Sequence, residues 1–336
     1  METSNKKKIS KLSVFVDGVK SYLGILIALV AMCVLLSIFS SAFLTTRNIF
    51  NVLRQIAVNV FLSCGMTMVL ILGGIDLSIG SIIALSGCLT ATMIAKMSIH
   101  PLIAILCGIL IGLIVGIANG FVISRTTIPP FIVTLASQNI CRGLARVAVN
   151  NKTVSVSNSL YQFIGTGYIG GVPIHVIFII VVIVITAILL SRTQFGRSIY
   201  AVGGNRMAAT YSGINARKIT MLVYIINGVL AGCAGILSSS RTMVGQYSLG
   251  EGAEMNAITA VVLGGTSMSG GVGSISGTII GCLIVGVLNN GMNLLGIDSS
   301  WQYVVQGIVV LLAVYVDYLK KSNALSKIKK RRIEVK

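Results

Sequence analysis

The chain has 336 residues, 55% of them hydrophobic and 10% charged, with a mean hydropathy of +0.94. A soluble domain carries about 25% charged residues, so a water-soluble globule is excluded. The net charge of +18 does not signal nucleic acid, because 18 of the 26 basic residues lie in three segments, 1–20, 192–218 and 320–336, that border apolar runs and so mark the cytoplasmic side of a membrane.

Runs of about 20 apolar residues cross a roughly 30 Å hydrocarbon core as helices. They predict ten spans, near 21–43, 56–73, 78–97, 101–124, 129–148, 173–191, 218–240, 255–270, 275–295 and 300–319. The fold class is therefore all-α: a polytopic helical membrane protein of about ten transmembrane helices, with both termini cytoplasmic. Basic tails over 1–20 and 320–336 bracket a transmembrane domain over 21–319, which carries the cytoplasmic loop 192–218. The first apolar run, Tyr22 to Phe43, outlasts the roughly 7–15-residue core of a signal peptide and reads as a retained span. Segments 44–55, 149–172, 241–254 and 296–299 fall outside. The apolar and aromatic content of 149–172 predicts an ordered loop, and 241–254 carries Glu251 and Glu254, two of only eight acids.

Between the second and third spans, GGIDLSIGS (73–81) sets an aspartate in a long apolar stretch. An unpaired carboxylate in hydrocarbon is expensive. Gly73 and Gly74 end one helix, and Asp76 can cap the next by accepting the amide of Ser78 or Ile79, where the helix N-terminus favours its charge. A direct substrate contact is the alternative. A similar run, VLGGTSMSGGVGSISGTIIG (262–281), separates the eighth and ninth spans. Paired glycine-interrupted spans in two halves point to a transporter's midline; coincidence of glycine-rich sequence is the other reading. The four-residue glycine spacing in GILIGLIVGIANG (108–120) predicts a close helix–helix contact.

Further polar residues lie within spans: Gln138, Asn139 and Arg142 after Pro129-Pro130, then Asn227, then Asn289, Asn290 and Asn293. At i and i+4, Asn289 and Asn293 share a helix face. Uncharged amides suit a neutral polyhydroxy ligand, and interhelical hydrogen bonding is the structural alternative. With Asp76, the six amide residues make the candidate substrate pathway. The seven cysteines show no C-x-x-C, and His100 and His175 are too few for a histidine metal site, so neither metal nor cofactor is expected. No chain of Asp, Glu and His fit for a proton relay is visible, whereas sodium coupling leaves little sequence trace. No G-x-x-x-x-G-K-[ST] occurs, so the chain is not expected to be an enzyme that hydrolyses ATP itself.

In RTQFGRSIYAVGGNRMAATYSGINARKIT (192–220), a glycine pair precedes a short helical stretch, about Arg206 to Ser212, with Asn205 placed as its N-cap and Gly213 as its C-cap. A capped helix on the cytoplasmic face is a lever for a partner protein. Here the chain resembles the ribose-type permeases of bacterial ATP-binding-cassette (ABC) importers, over about 45 to 318. The resemblance is carried, in family order, by GGIDLSIGSIIALSG, PPFIVTLASQNICRGLA, AVGGNRMAATYSGINARKI, AITAVVLGGTSMSGGVGSISGTIIG and LNNGMNLLGIDSSWQ.

That resemblance implies a multi-pass protein of the bacterial plasma membrane that imports a monosaccharide. Ribose is the first choice, ahead of other pentoses, hexoses, inositol and autoinducer-like furanoses. It implies a homodimer of permeases, an ABC ATPase partner often built as a tandem of two domains, and an extracytoplasmic sugar-binding protein. Gly203, Gly204, Asn205, Ala208, Ala209, Ser212 and Gly213 would seat in the ATPase groove. The family often has an acid just after the asparagine, where this chain has Arg206 and Met207, so a charge pairing with the ATPase at that point is not implied. On the outer face, Glu251 and Glu254 are expected to dock the binding protein, since charges across such interfaces mainly steer association. A stand-alone ion-coupled carrier is the alternative function.

Overall fold

The computed structural model describes residues 11–315 apart from 299 and 313, with side chains from 23 onward. The tail expected over 320–336, and residues 1–10 of the tail expected over 1–20, lie outside the described residues. Each expected span corresponds to a helix. These are α1 (Lys11–Phe39), α2 (Thr46–Ile71), α3 (Ile79–Ala95), α4 (Pro101–Arg125), α5 (Pro130–Ala148), α7 (Ile174–Arg192), α10 (Ala216–Thr242), α11 (Ala253–Leu263), α12 (Ile275–Leu294) and α13 (Ser300–Leu312). Shorter helices α6 (Ser159–Thr166), α8 (Gln194–Gly204) and α9 (Arg206–Tyr211) lie between them. Two antiparallel ribbons complete the described structure: β1 (Val154–Ser155) with β4 (Val244–Gly245), and β2 (Tyr168–Ile169) with β3 (Val172–Pro173).

Three boundaries differ from expectation. The first helix begins at Lys11, inside the segment read as a tail. The second begins at Thr46 instead of 56, because Thr45 caps it by accepting the Asn48 amide; Arg47, Asn51, Arg54 and Gln55 hide that first part from a hydropathy reading. The eleventh stops at Leu263 instead of 270. At 1.5 Å per residue its 11 residues reach about 16 Å, half of a roughly 30 Å core.

The two breaks share one device. At the end of α2, Gly73 (φ +84°) donates to the Leu70 carbonyl and Gly74 to that of Val69. At the end of α11, Gly265 (φ +86°) donates to Val262 and Thr266 to Val261. Both are the two-bond stop that needs a left-handed residue after the helix. The sequence echo between 71–87 and 262–281 is thus the same stop used twice, one residue out of register.

Helix α10 packs against α2, α3, α4 and α6 and forms the centre of the subunit. Its contact with α4 is backbone to backbone, as the glycine spacing predicts. A Cβ at Gly112 would strike the Gly228 carbonyl, one at Gly116 the Tyr224 carbonyl, and one at Gly120 the Met221 carbonyl. The loop at 149–172 is ordered, with β1, α6 and β2 in it; Gly170 and Gly171, both at positive φ, make the tight turn from β2 to β3.

Segment 241–254 corrects an expectation. It does not stay at the surface. From β4, where Gly245 lies against Cys88 and Ala91, it descends along α3 until Gly250 meets Gly80 and Ile83. It therefore delivers the start of α11 to the depth at which α3 begins. Irregular backbone at membrane depth is tolerated where protein covers it, and α5 supplies the cover: Arg142 Nη1 donates to the carbonyls of Tyr247 and Leu249 at 2.5 and 2.8 Å.

Candidate functional site

Four places gather the polar residues. The first is the break before α3. Asp76 is 1% exposed. Its Oδ1 accepts from the Ser78 amide and hydroxyl at 2.9 and 2.6 Å, and its Oδ2 from Asn227 Nδ2 at 2.8 Å. Asn119 Nδ2 donates to Ser78 Oγ at 3.0 Å, and Ser137 Oγ donates to Asn119 Oδ1. On the same segment, the Leu77 amide donates to Thr134 Oγ1 at 3.1 Å. The carboxylate therefore ties α3, α4, α5 and α10 together around seven residues of non-helical chain. Asn227 is fully buried against Gly65 of α2. Both Asp76 and Asn227 hold the break.

The second place is the meeting of α3, α5 and α11. Glu254 is 8% exposed, so it does not share the surface with Glu251, which is exposed. Gln138 Nε2 approaches Glu254 Oε1 at 3.5 Å, and Glu254 Oε2 lies against Gly80 with no partner among the described residues. The sequence hid this because the descent of 243–252 is a tertiary feature. Asn139 is exposed instead, on the outward side of α5 with Ile132, Leu135 and Ile140.

The third place is a pocket of about 250 Å³ toward the end of the bundle opposite α9, between α2, α10, α11, α12 and α13. Asn289 and Asn293 both line it, as their spacing predicts. Asn290 points elsewhere: it makes a reciprocal pair with Asn48 of α2, Nδ2 to Oδ1 at 2.9 and 3.0 Å. Sequence reasoning missed the other walls, Gln55, Asn59, Arg241, Asn256 and Gln302, because they sit near helix ends or on a helix that hydropathy misplaces.

The fourth place is α9. Asn205 Oδ1 accepts the Ala208 amide at 2.9 Å, and Gly213 (φ +86°) ends the turn, with Ile214 donating to the Ala209 carbonyl. Gly204, Asn205, Ala208, Ser212 and Gly213 are exposed. Ala209 is buried against Val202 and Ala216, and Gly203 turns inward onto the Ile71 carbonyl, so these two expected contact residues face their own subunit. The outward face instead presents Met207 and Tyr211, 71% and 89% exposed and one helical turn apart. Beneath α9 the Ile71 carbonyl accepts the Gly271 amide at 2.7 Å. The end of α8, the end of α2 and the loop before α12 thus meet through glycine backbone.

The chain has clear relatives among known proteins. Residues 48–314 match a family described as the branched-chain amino acid transport system / permease component. The ribose import permease protein of Bacillus subtilis (strain 168) is 46% identical over 308 residues, covering 91% of this chain and 95% of that protein. The ribose import permease protein of Escherichia coli (strain K12) is 41% identical, covering 88% and 93%. The D-allose transport system permease protein of Escherichia coli (strain K12) is 37% identical, covering 86% and 90%. No solved structure matches the chain.

Proposed function

Because the chain belongs to the branched-chain amino acid transport system / permease component family, we propose that it is the membrane subunit of an ATP-driven importer that carries a monosaccharide, ribose first, into a bacterial cell. The observation that carries this reading is the 46% identity to a ribose import permease over 91% of the chain. The ATPase partner grips α9 from the cytoplasm, with Met207 and Tyr211 as its apolar anchors; an exposed aromatic on a short rigid helix is a common anchor at an interface. Movement of α9 reaches the breaks at 72–78 and 264–274 through the contacts of Gly203, Ile71 and Gly271.

A second copy of the chain covers α5. Support comes from Asn139, an exposed mid-helix amide whose exposed neighbours Ile132, Leu135, Ala136 and Ile140 are apolar; left in lipid it would lack partners and be costly. Glu251 is the acid proposed to meet the sugar-binding protein, since it is the exposed one of the expected pair, at the foot of the segment that descends from the outer end.

The test is reconstitution in liposomes with a cognate ATPase and sugar-binding protein. Ribose uptake that needs both partners and ATP is the expected result. Uptake by this chain alone under an ion gradient would overturn the reading in favour of a stand-alone carrier, and preferential uptake of allose would overturn the choice of ribose.

A further inference from the structure

We infer that the 250 Å³ pocket between α2, α10, α11, α12 and α13 is a binding station for one neutral sugar molecule inside each permease subunit. The inference rests on the sugar-import reading and adds a site to it. The pocket is smaller than the roughly 300–1,000 Å³ of drug-sized ligand sites, which fits a single small solute.

Its chemistry is that of a polyol. Asn256 Oδ1 is buried and has no partner among the described residues; such an acceptor is costly unless a ligand or water supplies the hydrogen. Helix α13 orients two more groups. Gln302 Nε2 donates to Asn293 Oδ1 at 2.7 Å and Gln306 Nε2 donates to Asn289 Oδ1 at 3.3 Å. Each bond occupies the carbonyl of the asparagine and leaves its NH2 to point a donor elsewhere. Gln55 adds a further amide at the rim, and Arg241 is the single charged residue of the lining. Ile56, Leu62 and Val285 add an aliphatic part to the wall. Amides offer donors and acceptors without charge, which matches ring hydroxyls, and the aliphatic wall matches the C–H face of the ring.

Position supports the assignment. Arg241 lies in the last turn of α10, Asn293 in the last turn of α12, and Gln302 at the start of α13. The pocket therefore lies toward the outer end of the bundle, on the side from which the sugar arrives.

Saturation-transfer NMR on the permease in lipid nanodiscs, without binding protein, reads the site directly with D-ribose as the probe. Saturation of the ribose protons is expected in the wild type. Asn256→Leu and Asn289→Leu should each lower it roughly fivefold or more, the loss expected when one ligand hydrogen bond is removed. Gln302→Leu, at the half-buried mouth, stands in if Asn256→Leu lowers membrane abundance. No saturation in the wild type, or equal saturation in every variant, overturns the proposal. Stronger saturation of D-ribose 5-phosphate than of D-ribose would assign the pocket to an anion through Arg241 and also overturn it. ATP hydrolysis by the wild-type complex, with and without ribose-loaded binding protein, tests the importer reading separately.

Discussion

Asp76 has three hydrogen-bond donors on it, two from Ser78 and one from Asn227. The burial of a carboxylate in the apolar interior is offset by these bonds and by the start of α3. Asp76→Asn keeps an oxygen for Ser78. Its new NH2 would face Asn227 Nδ2, but Asn227 Oδ1 has no partner among the described residues, so rotating that amide restores the pair. The Asn variant should therefore fold and transport at a large fraction of wild type. Asp76→Leu strands the donors, at about 1–3 kcal/mol each, and should lose most of the protein from the membrane. Comparing uptake at matched abundance decides the matter: equal and severe loss in both variants would mean that the charge itself acts in transport.

At the scale of elements, α9 is a six-residue helix held by a cap at each end, with its two large apolar side chains, Met207 and Tyr211, turned outward. Tyr211→Ala should leave insertion intact and weaken assembly with the ATPase by more than about 1 kcal/mol, the threshold that marks anchor residues at interfaces. Co-purification of the ATPase with the variant, titrated by detergent or salt, reads that loss, and wild-type yield would remove Tyr211 from the interface. The α4–α10 contact makes a different demand. Gly112→Val would drive a branched side chain into the Gly228 backbone, and overpacking of this kind costs about 1–3 kcal/mol. A lowered melting temperature in detergent is expected, and an unchanged one would show that the two helices can part without loss.

Across the whole molecule, the face opposite α9 is where an external protein would land. Its exposed charges among the described residues include Arg47, Lys96, Arg146 and Lys152 against Asp298, and Glu251 is exposed at the foot of the segment that descends from it. Glu251→Lys reverses the charge at the foot of that segment. An exposed pair is worth up to about 1 kcal/mol, so the binding-protein concentration for half-maximal transport should rise roughly fivefold, more at low salt because screening is weaker. An unchanged dose response would make Glu251 a solvated loop residue.

The sequence by itself determined what depends on local physics. Run length placed a helix in each of the ten expected segments, Asn205 and Gly213 marked the ends of α9, glycine spacing marked the face of α4, and Gly73-Gly74 marked the stop of α2. Each of these follows from a few neighbouring residues, whose conformational preferences act whatever surrounds them. Only the tertiary structure decided the depth of Glu254, the inward turn of Gly203 and Ala209, the division of Asn289 and Asn293 from Asn290, and the joining of five helices around one polar pocket. Those depend on how each helix is rotated about its axis and on where a non-helical segment runs. Both are settled by packing between residues far apart in the chain, and in a sequence apolar on nearly every helix face, hydropathy carries little information about that rotation.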